Sequence, residues 1–177
     1  MKVIDLIMKK IELESYLCIK EKLILELIKK KVVSFHMFNE IDAVIVSGDV
    51  FDTNVASAEA IKCWSYLATK LCLEMEIPVV VCAGNHDGAA RLASCADLLR
   101  SAGLHISGAL DDAFEPIKLG NCEIYSLPYY NSADAAEVLG CKADAGVVMA
   151  EITKKILADI IAYEGEVFGN TRKECGN

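Results

Sequence analysis

The chain has no uncharged apolar run approaching the roughly 18 residues that a membrane span needs, although 54% of its 177 residues are hydrophobic. Its apolar segments are therefore expected to form a core, and no membrane partner is expected. The opening MKVIDLIMKK carries lysines after its apolar stretch and lacks a small-residue cleavage site, the wrong order for a secretory signal, so a soluble cytoplasmic protein is expected. No CxxC pair and no zinc-type His spacing occurs among Cys18, Cys63, Cys72, Cys82, Cys95, Cys122, Cys141 and Cys175. Most have apolar neighbours, which points to reduced thiols acting as small hydrophobes rather than to a disulfide scaffold. Positive charge is scarce after residue 38. Residues 1–38 hold 8 basic and 5 acidic side chains, the remainder 10 and 21, within a net charge of −8. Such an acidic body argues against a tight unaided grip on a phosphate backbone, but does not exclude an enzyme whose metal ions supply the positive charge. There is no internal repeat, linker or low-complexity tract, and the length is that of one domain.

What is present is a run of short apolar strands alternating with helices. Residues 12–31 place Leu13, Leu17, Ile24, Leu27 and Ile28 on one side of an amphipathic helix. Its closing lysines, Lys29 to Lys31, suit the negative end of a helix dipole better than a phosphate contact. Ala43–Val46 is β-branched and apolar throughout, as in a strand covered on both faces. Residues 57–73 are helix-forming, with Ser57 or Asn54 as N-cap, and Trp64, Tyr66 and Leu67 read as core rather than as a base-stacking platform. Val79–Val81 repeats the strand design. ARLASCADLLRSAG follows as a helix stopped by Gly103, then Leu104–Ser107 as a short strand. This alternation predicts parallel βαβ units with right-handed crossovers, which gather the strand C-terminal ends along one edge where ligands bind. Beyond them a hairpin turning at Gly120 and Asn121 is expected, then helices over Ser132–Leu139 and Gly146–Tyr163, and a frayed polar end.

Two of the strands run out into acids and amides. IDAVIVSGDVFD ends in a GDxxD spacing with Asp49 and Asp52, and VVVCAGNHD ends in Asn85, His86 and Asp87. The expected topology brings Asp49 and Asn85 side by side. A carboxylate can bridge two divalent ions, an amide oxygen is a neutral hard ligand, and oxygen and imidazole donors suit Mn²⁺, Mg²⁺ or Fe. A neighbouring imidazole can protonate a leaving oxygen, and a second carboxylate can fix its tautomer. Asp49, Asn85, His86 and Asp52 fit these four roles in that order, and the glycines leave room for tight turns.

GDVFD and GNHD resemble the second and third motifs of the calcineurin-like metallophosphoesterases. The stretch from about Asn39 to Tyr130, including Arg91, Leu92 and the closing LPYY, is similar to the SbcD-type nuclease subunits within them. The resemblance implies an α/β fold, a layered sheet with flanking helices. It implies a two-metal Mn²⁺ phosphodiesterase acting on DNA in repair and recombination with an SbcC-type ATPase partner, and it leaves a homodimer open. Asp49 and Asn85 would be metal ligands, and His86 the catalytic histidine supported by Asp52.

The family's opening DxH motif is missing, since Asp5 is followed by Leu6 and Ile7; its later histidine and GHxH pair have no counterpart because no histidine follows His105. His36 precedes the first motif-bearing strand, toward the edge away from the site, and His105 reads as structural or exposed. The expectation is a single, truncated phosphoesterase domain over residues 1–177, inactive alone. The alternatives are a non-catalytic or partner-binding remnant and, more weakly, a small metal-dependent phosphomonoesterase.

Overall fold

The computed structural model describes residues 3–6 and 41–174, with residues 3–6, 159 and 161–174 as backbone only. The expected helix over 12–31, its lysines and His36 lie outside these residues. The central element is a four-stranded parallel sheet in the order β1 (Val3–Leu6), β2 (Ala43–Ser47), β3 (Val79–Cys82), β4 (Leu104–Ser107). Its register pairs Leu6 with Val46, Val46 with Val81 and Val81 with Ile106. The apolar runs at 43–46, 79–81 and 104–107 thus form the strands expected of them. Val44, Val79, Val80 and Val81 are almost fully enclosed. Each such burial is worth ~1.5–3 kcal/mol relative to exposure.

The strands follow chain order, and the right-handed rule for crossovers between parallel neighbours sets successive connecting helices on one face of the sheet. Helix α1 (Ala58–Thr69) starts at Ser57, whose Oγ accepts from the Ala60 N–H at 3.1 Å. Ser57 rather than Asn54 is therefore the cap. The helix continues through a π turn at Lys70–Glu74, which swings Leu71 into the core. Leu67, Ala68 and Leu71 pack with Val44, Val46, Val79, Val81, Leu104 and Ile106 in one cluster.

The continuous helix expected over ARLASCADLLRSAG is broken into α2 (Ala89–Leu92) and α3 (Ala96–Arg100), with Cys95 between them in left-handed conformation at φ 63°. The reason is a close approach. A Cβ on Gly108 would lie 2.6 Å from the Ala93 Cβ, so α2 rests almost on the backbone leaving β4 and the chain must turn before Leu99 can reach the core.

After a 3₁₀ turn at Leu110–Phe114, β5 (Ile117–Leu119) and β6 (Cys122–Ile124) form the expected antiparallel hairpin, closed by Gly120 at φ 59° and Asn121. Helix α4 (Ser132–Leu139) has the bounds read from its sequence. Asn131 caps it and Gly140, at φ 63°, ends it. Helix α5 runs over Ala145–Glu174, beyond the Tyr163 limit expected for it. Residues 164–174 carry charges but no proline, and extending a helix already nucleated is far easier than starting one. Ala135, Ala136, Val148 and Ile152 form a second, smaller core between α4 and α5.

Candidate phosphoester site

The parallel register carries β2 and β3 to the same edge of the sheet, and the two motif loops leave there side by side. Gly48 turns the chain at φ 84°, and Asp49 follows at φ 51°, a left-handed conformation that aspartate tolerates better than most side chains. The turn folds the Asp49 carboxylate back over the other loop. A Cβ on Gly84 would overlap the Asp49 carboxylate and its amide, and one on Gly48 would stand 3.1 Å from the Gly84 Cα. Two glycines are thus required where the backbones touch. Across this contact the His86 N–H donates to Asp49 Oδ1 at 3.2 Å.

Asp87 is what holds the loops in place. It is 5% exposed, and its carboxylate accepts three backbone N–H groups: Val50 at 3.2 Å and Phe51 at 2.8 Å from the first loop, and Gly84 at 2.8 Å from its own. Sequence reasoning gave Asp87 no role. The available signal was its type: a carboxylate can take several converging N–H donors on two oxygens, and a glycine-rich turn leaves such donors without strand partners.

His86 is half-buried and its Nδ1 lies 3.0 Å from the main-chain carbonyl of Asp52. A carbonyl can only accept, so the proton in this contact sits on Nδ1, leaving the Nε2 lone pair available in the neutral ring. The contact expected from the Asp52 carboxylate is therefore made by its backbone, and the Asp52 side chain is exposed. The loop turns at 49–52 in a way that points the carbonyl at the ring, a detail that spacing alone does not encode. The side chains around this contact interlock as well. Arg91 Nη1 donates to the Asn54 carbonyl at 2.6 Å. The Asn54 amide faces two carbonyl oxygens, so its nitrogen donates to His86 O at 3.0 Å and Asp87 O at 2.8 Å.

Asn85 is exposed at the tip of its loop. Together with Asp49 it offers one carboxylate and one amide, whereas a hard divalent ion takes about six oxygen or nitrogen donors. Among the described residues no group of three or more His, Cys, Asp or Glu is arranged to hold a metal ion. Asp5, the one carboxylate of β1, is in register with Ile45, four positions short of Asp49. The described residues therefore do not complete a two-metal centre.

His105 lies away from this edge, within β4, and its pKa is pushed below the ordinary value by burial and by the Arg100 guanidinium. Cys72, half-buried in the π turn that continues α1, has its thiol pKa raised by burial, with a bond to the backbone of Val79 opposing the shift. Both fit structural roles. No helix of the described residues is long and apolar enough to cross a membrane.

The pattern of the calcineurin-like phosphoesterases matches residues 20–150. The chain is similar to the SbcD component of nuclease SbcCD from Staphylococcus saprophyticus subsp. saprophyticus, with 27% identity over 131 residues, 74% of this chain and 33% of that protein. It is also similar to the SbcD component of nuclease SbcCD from Staphylococcus epidermidis, with 32% identity over 88 residues, 50% of this chain and 24% of that protein. The chain thus spans a third or less of the length of these curated relatives. With the family pattern running through both motif loops and the parallel sheet that presents them, the chain belongs to the calcineurin-like phosphoesterases.

Proposed function

We propose that this chain is the part of an SbcD-like DNA nuclease that carries the GDxxD and GNHD loops, and that it does not hydrolyse DNA by itself. The observation that carries the reading is the meeting of the two loops, with the His86 N–H on Asp49 Oδ1 at 3.2 Å. In this reading Asp49 and Asn85 are two ligands of a divalent-metal centre, Mn²⁺ by family resemblance, whose remaining ligands come from outside the described residues. The metal would supply charge for polarising a phosphodiester. His86, when protonated on both ring nitrogens, would give its Nε2 proton to the departing oxygen and be left as the Nδ1–H form, and Asp52 would orient its ring. The net −8 charge of the chain supports a role in which DNA is gripped by other parts of an assembly; by family resemblance these include an SbcC-type ATPase partner, and the setting is the cytoplasm.

The test is a transplant. Residues 39–130 replace the matching stretch of the S. saprophyticus relative, and Mn²⁺-dependent hydrolysis of single- and double-stranded DNA is measured. The exchanged protein should cleave, and Asp49→Ala or His86→Ala should lower the rate by more than the ~10–100-fold that loss of a supporting group costs. A folded transplant that cleaves equally well with both changes would refute the reading.

The incomplete donor set among the described residues favours a second reading, a non-catalytic remnant that keeps the sheet. Thermal unfolding of the isolated chain separates the two. A partial site binds metal in the native state only, so millimolar Mn²⁺ should raise the melting temperature, and Asp49→Ala should abolish the rise. A remnant shows no shift.

A further inference from the structure

We propose that Asn54 and Arg91 are positioning residues that hold His86 in the Nδ1–H tautomer by clasping the two motif loops together. This rests on the reading of His86 as the group that exchanges a proton with a phosphoester, but its physical content is independent of hydrolysis.

The clasp is reciprocal. Arg91, from α2 behind the GNHD loop, reaches across to the Asn54 carbonyl at 2.6 Å. The Asn54 side chain reaches back to the carbonyls of His86 at 3.0 Å and Asp87 at 2.8 Å. Gly88 makes the crossing possible: a Cβ there would lie 2.6 Å from the Asn54 carbonyl oxygen. Two residues before Asn54 is the contact that matters, the Asp52 carbonyl 3.0 Å from His86 Nδ1.

The Asp87 carboxylate secures the start of the first loop, at Val50 and Phe51, but its bonds reach no residue of that loop from Asp52 onward. The segment around Asp52 is exposed and has no strand partner, so its carbonyl stays aimed at the ring only if something holds residues beyond it. Asn54 and Arg91 do so from two residues downstream. A fixed acceptor at Nδ1 selects one tautomer and leaves Nε2 as the nitrogen free to take or give a proton. A planar, permanently charged guanidinium suits this task because it holds a carbonyl without itself titrating.

The tautomer is read directly by long-range ¹H–¹⁵N correlation on the full chain labelled at histidine. The spectra are recorded at one fixed pH, well above the ordinary histidine value of ~6.5. His86→Gln assigns the signal among the three histidines. The native chain should show Nδ1 protonated and Nε2 bare. Arg91→Ala and Asn54→Ala should each lower the ratio of the Nδ1–H to the Nε2–H form roughly fivefold, the worth of one net hydrogen bond. Arg91→Lys, which keeps a donor for the Asn54 carbonyl, should largely restore it. A merely structural role would not move this ratio in a folded variant. If Arg91→Ala does not fold, the neutral, similarly sized Asn54→Leu, which removes the amide donor without adding charge, decides the matter. The inference is overturned if native His86 is protonated on Nε2, or if folded variants keep the native ratio. Failure of the DNA-cleavage transplant with a tautomer that still shifts would sink the nuclease reading and leave the clasp standing.

Discussion

Removing the Asp87 carboxylate should destabilise the chain by several times the worth of an ordinary hydrogen bond. Three backbone N–H groups converge on it at 2.8–3.2 Å, and it is 5% exposed. Hydrogen bonds to a charged group contribute ~1.5–3 kcal/mol each, and deletion strands the donors. Val50, Phe51 and Gly84 are only half-buried, so water can reach them after truncation and soften the loss. Asp87→Ala should therefore cost about 3–4 kcal/mol rather than the full sum of three bonds. For a chain of this size that lowers the melting temperature by roughly 10 °C.

Asp87→Asn should fall between the two. Its single carbonyl oxygen can replace Oδ2, which serves both Val50 and Gly84, but its NH₂ then faces the Phe51 N–H, donor against donor. The assay is urea unfolding of all three proteins, with the slope checked for constancy. Asp97→Ala is the control, since that carboxylate is fully in solvent and its 3.8 Å pair with Arg100 should contribute nothing measurable. If Asp87→Ala lies within ~0.5 kcal/mol of the native chain, Asp87 does not fasten the loops and the site geometry loses its support.

Two further outcomes follow from the same structure. Gly84→Ala should be far more damaging than Gly120→Ala: a Cβ at Gly84 overlaps Asp49, whereas one at Gly120 meets nothing within 4 Å and incurs only the penalty of φ 59°. Equal unfolding midpoints for the two variants would contradict the close loop contact. His105 should make the chain less stable in acid. Its folded pKa lies below the ordinary value of ~6.5, so the unfolded chain binds the extra proton first. Its contribution is fully present above the unfolded value and is lost as pH drops from there through the folded one. The difference in unfolding free energy between native chain and His105→Gln, followed from pH 7 downward, should therefore shift toward the variant. A difference independent of pH would show that burial and Arg100 do not act on this ring.

The strands and the hairpin are legible in the sequence because their information is local. A valine run enclosed on both faces and a Gly-Asn turn need no distant partner to be recognised, and Ala43–Val46, Val79–Val81, Leu104–Ser107 and the turn at Gly120 all appear where the pattern places them. Parallel order follows from the same alternation, and with it the arrival of Asp49 and the GNHD loop at one edge.

The break between α2 and α3 was invisible to periodicity, since the apolar spacing of residues 90–103 is compatible with one helix and only the contact with Gly108 divides it. Within the site, residue types alone led to Asp49, Asn85, His86 and Asp52, but not to which atom of Asp52 meets the ring, nor to Asp87, Asn54 and Arg91 as fasteners. Motif spacing records which side chains a loop carries. Hydrogen bonds between loops some 35 residues apart depend on how two backbones turn against each other, and that is decided only when the sheet sets the loops in contact.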